Sequence, residues 1–578
     1  MAQEYSIRIY KHAPLSVWNG AKRLSAFTGI KIIEEKKTEG KFIEIKLNEV
    51  PILNLGDEGF IIERTTNNTI TISSNFVEGI VNGMYEMLRT LMCKNVRDPF
   101  SMKWNIKENP FFKIRGIHLG CYNFGLPELT PDMWTMSNWK EYIDFLRLMN
   151  ANLIICLMGY DYLPDVPQTE IHKWQYETLR EAMKYAQELG IKFHLAYLYN
   201  AVPQALWWKH PEFRCQGSPG YLGISFCWSR AKTLILKLHE ERMKFFKDMD
   251  GYQLLYLEGC GICTCPECSK NFAGLVIDSF REIEKLLKEI NPKAECVLQN
   301  WLAEVLLFWI PELKGIQDNL LIGMPKGTLF FDASGNFWKK WARTQGKDPS
   351  TIREQLNLID KAGYRALNYF FLMDMEGGLE SNCSVFPYPL IKEIMREMRY
   401  SKENLHLEGV AGYRLAPPIR FLSDYAFFRL ASNPNLTMEQ LVDEEARFLT
   451  YKPENKNDVK TAIMQLERFW NTMDAEALKK ATELFGKASK IEPSKTLKYI
   501  ADGTSILLLI HKLTDGNLSQ EEQNANKMEI YQKMKDMFIY QGYTTEQIWE
   551  ARALNASLLP RIEWWTKYMK TLQNILKK

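Results

Sequence analysis

The sequence predicts a multidomain α/β chain: a small α/β N-terminal domain, a (β/α)8 TIM barrel and an all-α C-terminal domain. These cover residues 1–111, 112–418 and 419–578. Three observations lead to this division. Short apolar runs alternate with helical stretches eight times between about residues 113 and 415, the rhythm and the number that a βα barrel needs. The segment before them mixes alternating strands with amphipathic helices. After about residue 420 no strand-like run appears. The length, 578 residues, is also more than one hydrophobic core usually serves.

In the first segment Ser6 to Ile9 and Phe42 to Leu47 alternate as strands do. Gly59 to Arg64 and Thr69 to Ser73 flank a turn, and Leu15 to Phe27 and Phe76 to Met92 carry helical spacing. The barrel strands are read at Ile114–Leu119, Leu153–Met158, Lys192–Tyr197, Gln253–Leu257, Cys296–Gln299, Leu320–Gly323, Arg365–Leu372 and Val410–Leu415. Helices are expected between most of them, for example over Tyr142–Met149, Thr178–Leu189, Lys232–Lys247 and Ala273–Ile290. An open doubly wound sheet is the competing arrangement. No Gly-x-Gly-x-x-Gly follows the first strand to support it. The tail reads as amphipathic helices over Gln440–Leu449, Asp458–Thr472, Ala475–Ala488, Leu497–Leu513, Glu521–Met537 and Thr545–Leu576.

Composition narrows the function classes. The 73 basic and 70 acidic side chains nearly cancel, to a formal charge of +3, so nothing favours nucleic acid or an anionic membrane as partner. Met1 to Tyr10 lacks the apolar core of a secretory signal, and runs such as Leu153–Met158 and Ile506–Ile510 are too short to span a bilayer. The expectation is a cytoplasmic protein with no membrane partner, and a homo-oligomer is compatible with it. The 11 cysteines, an odd number, then read as buried thiols or metal ligands rather than a disulfide framework.

In a barrel of parallel strands the chemistry gathers at the C-terminal strand ends. Strand four runs into Glu258-Gly259. A carboxylate there suits a general acid whose pKa is raised by partial burial. Strand seven runs into Asp374 and Glu376, which share a parity; Asp374 is the expected second catalytic carboxylate and Glu376 a substrate contact. Polar and aromatic residues cluster near the other strand ends: His118 and Tyr122, Tyr160 and Asp161, Tyr199 and Asn200, Asn300 and Trp301, Asn368 and Tyr369, with Trp207 and Trp208 in the loop after strand three. Sugars call for amides and carboxylates to match hydroxyls and for flat rings under their C–H faces. A uronide would also need a cation, for which Arg115, Lys326 and Arg414 are the candidates.

The loop after strand four reads Cys260-Gly-Ile-Cys263-Thr-Cys265-Pro-Glu-Cys268. The Cys265-x-x-Cys268 spacing suits one tetrahedral zinc, completed by Cys263 and Cys260, with Cys215, Cys227 and His210 as further donors. Catalysis itself calls for no cofactor.

Several of these stretches resemble a known group. Gly59-Phe-Ile-Ile-Glu-Arg, Ile70-Thr-Ile and Gly79-Ile-Val-Asn-Gly-Met-Tyr-Glu-Met-Leu look like the small α/β domain that precedes the barrel in α-glucuronidases and β-N-acetylhexosaminidases. Phe112-Lys-Ile-Arg115-Gly116-Ile-His118 is similar to the Arg-Gly opening of their first barrel strand. Cys227-Trp-Ser-Arg and the Cys263-x-Cys265-x-x-Cys268 loop resemble barrel glycosidases with a cysteine loop after the catalytic acid. The resemblance covers about residues 1 to 415 and implies a glycoside hydrolase with Glu258 as general acid. Hexosaminidases that use the substrate acetamido group carry two adjacent carboxylates at this point, whereas Tyr256-Leu-Glu258-Gly has one, so substrate assistance is not expected. The alternative is a non-catalytic carbohydrate-binding or structural protein on a decayed glycosidase barrel.

Overall fold

A computed structural model describes residues 5–33, 40–121, 131, 134–158, 170–216, 225–256, 263, 265–270, 272–300, 320–323, 365–371, 386–404, 407–414, 421–492, 494–514 and 516–540, with short helical stretches between 562 and 574. Alternating isoleucines build its first sheet. Ile7 and Ile9 of β1 (Tyr5–Ile9), Ile43 and Ile45 of β3 (Lys41–Leu47), and Ile70 and Ile72 of β5 (Thr69–Ser74) are all buried. With β2 (Lys31–Ile33), β4 (Phe60–Thr66) and β6 (Asn105–Glu108) they form a six-stranded sheet in the order β2-β1-β3-β5-β4-β6. The β4–β5 and β4–β6 pairs are antiparallel and the others parallel.

Helices α1 (Leu15–Thr28) and α2 (Val77–Lys94) belong to this unit. The glycines of α2 explain its close seat on the sheet. A Cβ at Gly79 would stand 2.2 Å from the Gly59 carbonyl oxygen, and one at Gly83 would stand 2.7 Å from Ile72 Cγ2. Either is tighter than packed atoms allow, so a side chain at these positions would push the helix off the sheet.

The next eight strands are all parallel: β7 (Ile114–Cys121), β8 (Leu153–Met158), β9 (Lys192–Leu198), β10 (Gly251–Tyr256), β11 (Glu295–Asn300), β12 (Leu320–Gly323), β13 (Ala366–Phe371) and β14 (Gly409–Arg414). Each stands where the sequence places one, with ends shifted by no more than a few residues. The sheet curls so that β14 pairs with β7 through Gly409↔Ile114 to Arg414↔Leu119, and the strand order closes on itself. Helices α3 (Met136–Leu148), α4 (Glu170–Glu188), α6 (Trp228–Phe245), α8 (Phe272–Ile290) and α9 (Ile391–Asn404) lie between strands, and the short α5 (Gln204–Lys209) and α7 (Pro266–Lys270) sit in the loops after β9 and β10. The connections from β11 to β12 and from β12 to β13 lie outside the described residues, so the strands form a ring while the ring of helices is described in part.

The chain continues as α10 (Phe421–Ser432), α11 (Met438–Leu449), α12 (Pro453–Thr472), α13 (Ala475–Ile491), α14 (Lys495–Lys512) and α15 (Gln520–Tyr540). Helix α10 packs against β7 and β14 and is buried along its whole length, and α11 to α15 pack in succession. A capping box between Thr437 and Gln440 opens α11, and the Asp474 carboxylate and the Ser494 hydroxyl accept backbone N–H groups at the starts of α13 and α14. The expected helix over 545–576 lies mostly outside the described residues. Among the described residues no helix is long and apolar enough to cross a membrane.

Candidate functional site

Side chains of alternate parity on a barrel strand face the interior or the surrounding helices. Two polar pairs mark the interior. His118 Nδ1 lies 3.1 Å from Gln299 Nε2, joining β7 to β11 on the far side of the ring, and Gln253 Nε2 lies 3.0 Å from His194 Nδ1 between β10 and β9. All four residues are buried. Burial removes the water that would stabilise an imidazolium, so His118 is pushed down to about 3 and His194 to about 4. Both are neutral at any physiological pH. His118, expected at the mouth beyond the first strand, is therefore an internal residue of β7 held by an amide across the barrel.

Arg115 requires a correction. It sits at the start of β7, on the N-terminal side of the ring, with the parity opposite to His118. Its guanidinium is fully buried and donates to the carbonyl oxygens of Asn150 (2.8 Å) and Phe112 (2.7 Å), and it pairs with Glu58 of the first unit at 2.5 Å. Glu58 also accepts from Asn152 at 2.8 Å. Arg115 therefore ties the first sheet unit to the barrel and takes no part at the strand C-termini. The base of the barrel opens on a cavity of about 1000 Å³ lined by alternating charges, among them Asp57, Lys113, Lys192, Asp250, Arg365 and Glu408. Arg365 bridges Glu295 at 2.7 Å and Glu408 at 3.0 Å there. Arg365 thus shares its charge between two carboxylates, as befits the face that carries stability rather than chemistry.

At the opposite end, the loop after β9 is well defined. Asn200 is buried and donates from its amide to the Phe226 carbonyl (3.0 Å), while Phe226 N–H returns to the Asn200 carbonyl (3.0 Å). Asn200, expected as a sugar contact, thus pins the loop's return strand. Trp207 and Trp208 pack edge to face with centroids 5.1 Å apart, and the Arg214 guanidinium lies 3.7 Å from the Trp207 centroid. Trp208 is 63% exposed, a large apolar surface for one side chain.

Four thiols meet beside this loop. Cys227 is the residue before α6, and Cys263, Cys265 and Cys268 come from the connection after β10. Their Sγ atoms all lie within 4.8 Å of one another and all four residues are buried. The Cys227 Sγ is 3.7 Å from that of Cys265 and 3.5 Å from that of Cys268. Gln216 N–H points at Cys263 Sγ (3.3 Å), and the Ser229 hydroxyl lies between Cys227 (3.1 Å) and Cys268 (3.4 Å). The sequence favoured Cys260 as the fourth member; Cys260 lies outside the described residues, and Cys227 fills that place. His210, another candidate, is instead 3.1 Å from the Glu212 carboxylate and stacks on Phe213. Cys215 packs against the cluster without joining the four.

The other expected site residues divide into two sets. Asn300 ends β11, and Asn368 and Tyr369 lie within β13 beside Val410 and Ala411 of β14. Glu258, Asp374, Glu376, Tyr160, Asp161, Trp301 and Lys326 lie outside the described residues. Arg414 ends β14.

Comparison with protein-family models finds no match, and no curated protein matches the sequence. Solved structures do match. A family GH115 4-O-methyl-α-glucuronidase with specificity for decorated arabinogalactans superposes with a TM-score of 0.62 at 12% identity, covering 93% of this chain and 76% of that one. A family GH138 enzyme targeting pectin rhamnogalacturonan II gives 0.61 at 11% identity, over 94% and 74%. A chitobiase of Flavobacterium johnsoniae gives 0.51 at 14% identity, over 93% and 96%. The structural neighbours are glycoside hydrolases, and at these identities the likeness is one of fold.

Proposed function

We propose that this chain is a glycoside hydrolase built on a complete (β/α)8 barrel, with Glu258 as general acid and Asp374 as the second carboxylate. The observation that carries the reading is the strand ring, in a fold that superposes on solved glycoside hydrolases. Its fourth strand, β10, ends at Tyr256, so Glu258 follows the end of a barrel strand by two residues. Carboxylates at such ends serve chemistry in barrels of this kind. In the proposed reaction the Glu258 carboxyl donates its proton to the glycosidic oxygen as the bond to the anomeric carbon breaks. The Asp374 carboxylate faces that carbon and either attacks it or activates a water. A separation of about 5–5.5 Å between the two would mean retention, and about 6.5–9.5 Å inversion. Tyr160, Asp161, Asn300, Trp301, Tyr369 and Glu376 are the proposed sugar contacts; Asn368, in register with Val410 and through it with Arg115, has the outward parity and is set aside.

With Arg115 committed to the base and Arg414 paired with Leu119 on the outward parity, Lys326 is the remaining proposed partner for a uronate. This keeps both an α-glucuronidase-like and a hexosaminidase-like substrate class in view. A panel of nitrophenyl glycosides, uronides and N-acetylhexosaminides included, decides between them. On the substrate that is turned over, Glu258→Gln is expected to lower kcat by about 10²–10⁴-fold, the usual contribution of general-acid assistance. No turnover across the panel, or an unchanged rate in the variant, would point to the binding-protein alternative or to another acid.

A further inference from the structure

We infer that Cys227, Cys263, Cys265 and Cys268 hold one structural zinc ion that staples the loop after β9 to the loop after β10. The distances discriminate among the things four buried thiols can be. A disulfide needs sulfurs about 2.05 Å apart, and the Cys227 contacts at 3.5 and 3.7 Å are far longer. A tetrahedral ion with metal–sulfur bonds of about 2.3 Å places its ligands about 3.8 Å apart, close to these values. A multi-iron cluster would hold its thiolates further apart, because metal–metal edges intervene. Simple packing of neutral thiols is the remaining option, and the surroundings argue against it. The Gln216 N–H donates to Cys263 Sγ, the Ser229 hydroxyl lies within hydrogen-bond reach of Cys227 and Cys268, and the Arg230 guanidinium, held on the Glu212 and Arg214 carbonyl oxygens, sets a positive charge beside Cys227 and Cys263. Leu275 packs on the thiols from one side, but a backbone N–H and a neighbouring guanidinium on the others suit sulfurs that carry negative charge. A zinc tetrathiolate carries a net charge of two minus, which Arg230 and the N-terminal end of α6 partly offset.

Four protein sulfurs leave no open position on zinc, so the ion would be structural rather than hydrolytic. Its place in the fold gives it a purpose. Cys227 starts α6, whereas the other three follow β10, and Cys263 lies five residues beyond Glu258 in sequence. The ion would anchor the far end of the segment that begins with Glu258 to the neighbouring βα unit.

Elemental analysis of the untagged, reduced full-length protein should find one zinc per chain. X-ray absorption at the zinc edge should find four sulfur neighbours at about 2.3 Å. Cys227→Ser and Cys265→Ser should each hold less than a tenth of that zinc, while Cys215→Ser and Glu258→Gln should keep it all. If the ligand variants fail to fold, cobalt(II) exchanged into the wild-type protein gives a second reading, through tetrahedral thiolate absorption bands. Any of three results would overturn the inference: protein from zinc-supplemented culture without zinc, iron in its place, or zinc fully retained in Cys227→Ser. Retention of zinc by inactive Glu258→Gln keeps this test separate from that of the catalytic reading.

Discussion

The barrel and the helical region solve the same problem, a buried ionisable group, in opposite ways. The barrel region buries bases. His118 and His194 pair with glutamine amides inside the ring, and His239 of α6 bridges Tyr252 Oη (2.6 Å) and the Tyr199 carbonyl (2.8 Å). Burial holds all three neutral, at about 3, 4 and 3. The helical region buries acids. Burial raises Glu445 of α11 far above the usual carboxylate range, with Glu467 of α12 adding to the effect. Glu467 is raised to about 7 by burial and by Glu393, although it accepts the backbone N–H groups of Ile391 and Lys392 at the start of α9. His511 on α14, itself lowered by partial burial, and Arg429 on α10, ion-paired with Glu444, are exceptions within that region. Neither arrangement keeps a naked charge in the interior, but each answers to pH with its own sign.

The largest expected effect tests the barrel half of this contrast. The three imidazoles take up protons readily only in the unfolded chain, so their contribution is present above about pH 6.5 and shrinks as pH falls toward their folded values. Each engaged group changes stability by about 1.4 kcal/mol per pH unit, so the three together give roughly 4 kcal/mol per unit below pH 6 at most. Hydrogen exchange followed by mass spectrometry should show β7, β9 and β10 losing protection between pH 6.5 and 5. His118→Asn should remove part of that slope, and a flat profile in the wild-type strands would break the comparison.

Next in size comes Glu467. Its folded pKa is raised, so its contribution is fully present below about pH 4.5 and is lost as pH rises through about 7. Helices α11 to α13 should therefore gain protection from pH 7.5 to 5.5 while the barrel strands lose it. Glu467→Gln should flatten that rise and stabilise these helices at pH 8 by about 1–3 kcal/mol, the smaller figure applying if the amide serves the α9 N–H groups poorly. Unchanged pH dependence in the variant would show that another carboxyl carries the effect.

The smallest effect is set by exposure. Trp208→Ala should change stability by no more than about 0.5 kcal/mol, because an exposed side chain leaves little packing behind. If the loop after β9 contributes a sugar platform, the same variant should raise KM severalfold on the substrate found in the glycoside panel. Unaltered KM would reduce the tryptophan pair to a prop for Arg214.

Reading the strands from the chain worked because a strand inside a barrel is an unbroken apolar run with clear ends, and Leu153–Met158 and Leu320–Gly323 coincide with the strands observed. The amphipathic helices were equally visible, since one wet face fixes their period. Helix α10 was not. Phe421 to Ser432 is buried on every side against β7, β14 and its neighbours, so no polar face betrays it. The edge strands β2 and β6, three and four residues long, are too short for alternation to register.

The sequence by itself determined the order and kind of the elements, because local apolar spacing is written in neighbouring residues. It also announced the cysteine loop through Cys265-x-x-Cys268. Only the tertiary structure decided which groups meet across distance. Cys227, thirty-six residues before Cys263, becomes the fourth thiol because Asn200 and Phe226 fold the loop after β9 back on itself. Arg115 looked like a ligand for an acidic sugar because it opens a barrel strand. Strand polarity and parity put it at the base on Glu58, since the one-residue offset from Gly116 turns a side chain from the barrel interior to the helices outside.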